Sequence, residues 1–184
     1  AGRGPVNLQR AAEAGGSKER MQGVSLGSVH RSRPSSNMAT VAPEFALFDM
    51  PFLIKDRAHL QRIAPTVFWQ MIAPAAEKKG YKILGLWENG FRQITNNTRP
   101  IDKPEDLQGV KLRVPGGAWR AKMFKLWGAN PTPMAFADVF VALQTGVIDG
   151  QENPSTNIYA AKFQEVQKNL SVTNPRSPPP SRTP

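Results

Sequence analysis

The residue with the most pointed chemistry is Arg113, set in the string VKLRVPGG. Alternation there predicts a strand over 110–114, with Val110, Leu112 and Val114 on one face and Lys111 and Arg113 on the other. Pro115 and the Gly116-Gly117 pair then lead into a helix. Open α/β sheets bind ligands at the carboxyl ends of their strands, and unpaired amides at a helix start favour anions. A guanidinium at that place can grip a carboxylate through two parallel hydrogen bonds. The plainer reading is a strand-end arginine in a surface ion pair of little worth. Spacing alone favours the plainer one.

Three further residues are candidates. Arg92 lies on an extended segment, Phe91–Thr95, and could converge with Arg113; beside Gln93 and Thr95 it also reads as ordinary surface. Asn153 is held extended by the following Pro154 and offers both a donor and an acceptor, although an asparagine satisfying loop backbone is the commoner case. Phe136 could wall a ligand, but it opens an apolar helical stripe, so core packing is the first expectation.

Enzyme signals fail on context. Gly23-Val24-Ser25-Leu26-Gly27 fits the nucleophile-elbow spacing, which needs a hydrophobic strand before it; Lys18-Glu19-Arg20 stands there instead. His30 and His59 share no metal-ligand spacing, and Glu105-Asp106 are explained by capping a helical turn. No phosphate-loop or dinucleotide glycine pattern occurs, so no cofactor is expected.

The elements that must position these residues alternate between strand and helix. An apolar extended segment is expected over 44–54, a helix over 56–79 interrupted by Pro65 and Pro74, and strands over 81–87, 91–95 and 110–114. Pro104–Leu107 predicts a helical turn closed by Gly109. Helical stripes follow: Trp119, Met123, Leu126 and Trp127; then Phe136, Val139, Phe140 and Leu143; then Tyr159, Phe163, Val166 and Leu170. Between the second and third, 147–153 reads as strand and turn. This is an α/β pattern. Residues 1–37 and the proline-rich 175–184 read as largely irregular, 38–89 as part of one lobe and 90–174 as a second.

The net charge of +10 from 24 basic and 14 acidic residues invites a nucleic-acid reading. Residues 1–40 hold six bases against two acids, and 171–184 add two arginines, leaving sixteen bases and twelve acids between. Most of the excess sits at the ends, not on one face, so nucleic acid is not the expected partner. There is no cysteine, hence no disulfide or thiolate metal site. No apolar run is long enough to span a bilayer, and the N-terminus shows no apolar signal-peptide core, so any secretion signal is expected to have been lost or never included.

The strings KLRVP, GANPTPM, ALQTGVIDGQENP and KFQEVQKNLSVTN, with PEFALFDMPFL and GYKILGLWENGFRQITN upstream, closely resemble the substrate-binding subunits of tripartite ATP-independent periplasmic (TRAP) transporters. That resemblance covers roughly 38–64 and 77–174. It implies a two-lobe periplasmic binding protein fold (type II-like), incomplete here, that captures a small organic-acid carboxylate for the transporter's membrane subunits. It implies further that Arg113 holds the carboxylate, that Arg92 and Asn153 add polar contacts, and that Phe136 lies against the ligand. A periplasmic location follows, with no catalysis. A ligand-sensing binding domain is the near alternative, and a serine hydrolase using Ser25 the distant one. His30–Ser36, Pro65–Gln70 and Arg176–Pro184 depart from the family texture, as reading-frame errors or an incomplete gene would leave them.

Overall fold

The computed structural model describes residues 16–172. The proline-rich tail and the first fifteen residues lie outside them. The described chain divides into two compact units. The first runs through Trp87 and takes back Pro115–Met123 and Pro133–Asp138; the second holds Glu88–Val114, Phe124–Thr132 and the chain from Val139 onward. The chain therefore passes back and forth, where the sequence suggested contiguous blocks meeting near residue 90.

The first unit is built on apolar clusters. Helix α1, Ser17–Ser25, occupies residues expected to be irregular. Met21 explains it, because its side chain packs with Met38 and Ala76, and Tyr81 donates to the Met21 carbonyl at 3.1 Å. Residues 43–49 form a 3₁₀ turn rather than an extended segment. Its Phe45 and Phe48 meet the ring of Phe68 edge-to-face, with centroids 6.0 and 5.8 Å away. Asp56 caps α2, Arg57–Ile63, by accepting from the His59 amide at 2.6 Å. The helix does not stop at Pro65. A widened π turn over Ala64–Ile72 carries the chain into α3, Ala73–Glu77. Proline lacks an N–H and its ring crowds the carbonyl four residues back, so the wider turn relieves a conflict that would break a regular helix. Phe68, within the tract that looked foreign, is only 2% exposed in the core.

Residues 81–87 were expected as a strand and form none. Tyr81, Ile83 and Leu86 still face the apolar clusters. Composition and alternation were right for a strand, but no described segment pairs with it.

The second unit contains a mixed sheet ordered β3-β2-β4-β1-β5, its β3 running one residue into the first unit. The strands are β1 Arg92–Asn96, β2 Lys111–Val114, β3 Asn130–Pro133, β4 Gly150–Pro154 and β5 Asn169–Ser171. β4 is central and wholly buried, antiparallel to β1 and parallel to β2. Gly150 opens it because nothing larger fits: a Cβ there would lie 2.4 Å from the Thr95 carbonyl oxygen. Asp149 ties the start of β4 to β2 by accepting from the Lys111 amide at 2.8 Å.

Helix α4, Ala118–Leu126, buries Phe124 and not the anticipated stripe; Trp119 and Leu126 are exposed. Arg120, one turn before Phe124, bonds Asp49 through two nitrogens at 3.0 and 2.6 Å. A single turn at Phe136–Asp138 leads into α5, Val139–Gln144, which buries Val139 and Leu143 as expected. The last helix is shorter than its stripe suggested. Helix α6 ends at Ala160, Lys162 takes a left-handed conformation (φ 58°), and Leu170 lies on β5 with its side chain exposed.

Candidate functional site

Strand pairing in the second unit collects polar side chains on one sheet face. Arg113 on β2 is opposite Gln151 on β4, which is opposite Thr95 on β1. One step along, Asn153 on β4 is opposite Gln93 on β1. Directly paired residues share a face, and so do residues two apart on one strand. Arg113, Gln151, Thr95, Asn153 and Gln93 therefore lie on the same side, and all five are buried. Arg113 is only 3% exposed. A surface ion pair at a strand end does not describe it.

Burying this much polarity requires hydrogen bonds. Asn153 Nδ2 donates to Gln151 Oε1 at 2.5 Å, and Gln151 Nε2 donates to Thr95 Oγ1 at 2.8 Å. Arg92 belongs by register to the opposite face, yet its Nη2 reaches Asn153 Oδ1 at 3.1 Å. The same guanidinium grips Glu152: Nε donates to Oε2, and Nη2 to Oε1 at 2.9 Å. Glu152 is a buried carboxylate, and the fork-shaped guanidinium meets both of its oxygens.

Of the four candidate residues, Arg92, Arg113 and Asn153 belong to the second unit, while Phe136 is in the first and 40% exposed. Arg92 and Asn153 are hydrogen-bonded, and Arg113 and Asn153 share a face. Sequence reasoning missed Glu152, Gln151 and Thr95. The signal was present in GQENP: once the segment is a strand, alternation puts Gln151 and Asn153 on one side and Glu152 on the other. The partners on β1, however, are remote: Arg92 is 60 residues from Glu152 and Thr95 is 56 from Gln151.

Among the described residues, no group of three metal-ligating side chains occurs, and no helix is long and apolar enough to cross a membrane. Ser25 is the exposed last residue of α1, so a helix and not a strand leads directly into it.

The family model for bacterial extracellular solute-binding proteins, family 7, matches residues 1–181. The chain belongs to that family. Among family 7 relatives, the 2,3-diketo-L-gulonate-binding periplasmic protein YiaO of Escherichia coli is 42% identical over 140 residues, 76% of this chain and 43% of that protein. A TRAP periplasmic solute-binding protein from Sulfurospirillum deleyianum, solved with bound succinate, superposes with a TM-score of 0.85 at 38% identity, over 89% of this chain and 53% of that one. The sugar acid-binding protein DctPAm from Advenella mimigardefordensis, solved with galactonate, gives 0.80 at 35%, over 86% and 51%. The chain thus spans about half the length of the relatives it matches. Its α/β fold is that of the TRAP periplasmic solute-binding proteins, and family 7 is a family of binding proteins, not of enzymes.

Proposed function

We propose that this protein captures a small organic acid in the periplasm and delivers it to the membrane subunits of a TRAP transporter. The observation that carries the reading is Arg113, buried at the end of β2 on the same sheet face as Asn153, in a chain of family 7. A guanidinium held in a polar, water-poor row binds a carboxylate more strongly than one in bulk solvent. Asn153 adds an amide contact to the acid. Arg92, with its fork on Glu152, contributes chiefly by what it holds in place. Relatives solved with succinate and galactonate support an acid as the ligand, and the periplasmic names of relatives support the compartment.

Calorimetry with succinate, D-galactonate and 2,3-diketo-L-gulonate tests this. At least one should bind the protein, and Arg113→Lys should weaken it by about 1.5–3 kcal/mol, since a charge remains but the fork is gone. Unchanged affinity in the lysine variant removes Arg113 from the role.

A further inference from the structure

We infer that Thr95 and Gln151 are positioning residues: with Arg92 setting its direction, they hold the Asn153 amide in place, so that Asn153 meets the ligand as a hydrogen-bond donor. The inference rests on the carboxylate-capture reading and adds to it two residues that sequence reasoning did not single out.

The argument starts at Arg92. A guanidinium has donors and no acceptor, so the Asn153 atom 3.1 Å from Arg92 Nη2 must be the carbonyl oxygen. That places Asn153 Nδ2 toward Gln151, whose facing atom must then accept, and the two are 2.5 Å apart. With Oε1 committed, Gln151 turns its Nε2 to Thr95, which accepts at 2.8 Å. Each amide inherits its direction from the one before. A flip of either amide would set two donors or two acceptors face to face; the Thr95 hydroxyl, able to donate or accept, serves by satisfying Gln151 Nε2. Bonds aligned head to tail in this way also polarise one another.

Two features keep the chain from loosening. Asn153, Gln151 and Thr95 are all buried, so none can exchange its partner for bulk water. Thr95 and Gln151 are also direct cross-strand partners on β1 and β4, which sets their spacing by backbone pairing. Gln151 is in turn the register partner of Arg113, so the middle of the chain stands beside the proposed carboxylate contact. Asn153 has given its oxygen to Arg92 and one N–H to Gln151. Its second N–H is the group it offers a ligand, and it addresses an acceptor such as a carboxylate oxygen.

Thr95 gives a clean test because it lies two hydrogen bonds from Asn153. Thr95→Val keeps the shape and the strand preference but removes the acceptor; Thr95→Ser keeps the hydroxyl and loses a methyl. Calorimetry with D-galactonate and succinate should show affinity lowered about tenfold in Thr95→Val, the scale of one hydrogen bond, and restored to within about twofold in Thr95→Ser. Packing alone predicts the reverse order. Should Thr95→Val fail to fold, side-chain amide exchange of Asn153 and Gln151 in the wild-type protein decides: slow exchange supports the positioning, and exchange at the solvent rate overturns it. Wild-type binding with an unaffected valine variant overturns the positioning alone. A wild-type protein that binds neither acid overturns the capture reading and this role together.

Discussion

Phe68 in the first unit and Gln151 in the second are both sealed from water, at 2% and 0% exposure, but for opposite reasons. The phenyl ring is surrounded by Phe45, Phe48 and Trp69 and owes its place to apolar burial, worth roughly 1.5–3 kcal/mol for such a side chain. The Gln151 amide gains little from leaving water and is tolerated because each end has a partner. The contrast extends to the surroundings. In the first unit, turns and helices of several kinds converge on apolar clusters that are indifferent to backbone hydrogen bonding. In the second, five strands fix the spacing of polar side chains through the ladder itself. An apolar cluster forgives small shifts in position; a directed row of amides does not. That makes the sheet the better place for a recognition site.

The largest expected effect strikes the apolar side. Phe68→Ala removes the ring on which three other aromatics pack and should destabilise the protein by about 3–5 kcal/mol. Hydrogen exchange should show lost protection over 64–77. Protection that survives there would mean that the ring cluster is not what orders the first unit. The matching change in the sheet is Gly150→Ala. Its methyl would sit 2.4 Å from the Thr95 carbonyl oxygen, so β1 and β4 must move apart. A cost of about 1–3 kcal/mol is expected from denaturant unfolding, with loss of acid binding beyond what the stability change explains. Normal affinity in a folded Gly150→Ala protein would show that the polar row does not need its present spacing.

The same contrast explains what could be read from the residues. The strands that carry the site were legible, because Val110–Val114 alternates, Pro154 enforces extension and GQENP has strand texture. Segment 81–87 has equal strand character, yet a strand is defined by its partner, and none lies among the described residues. The run from Tyr159 to Leu170 suited one long helix by periodicity. What divides it is the left-handed turn at Lys162 and the pairing of β5 with β1, a contact some seventy residues away in the chain. For α4, periodicity gave the stripe of Trp119, Met123, Leu126 and Trp127, whereas the helix buries Phe124 and pairs Arg120 with Asp49, a partner 71 residues away. At the site, arginine and asparagine were visible by type. The pairings of Glu152 with Arg92 and of Thr95 with Gln151 became visible only once register was known, because hydrogen-bond partners across strands leave no local signature.

The smallest effect tests whether the polar logic extends beyond the site, to the exposed turn Pro104–Leu107. Asp106 Oδ2 accepts from the backbone amides of Asp102 and Lys103 at 3.0 and 3.1 Å. Those bonds, the Asp102 amide first, favour the charged form and lower its pKa below the ordinary 3.8. A depressed carboxylate contributes stability that is complete above its unfolded-state value and lost as pH falls through its folded-state value. The wild-type protein should therefore lead Asp106→Asn in urea midpoint at pH 6, and the lead should shrink at pH values below the ordinary 3.8. The asparagine can still accept one amide, and the group is open to solvent, so the difference will be small. A lead that stays constant from pH 6 to pH 2 would show that the turn is held by the buried Leu107 and not by the charge on Asp106.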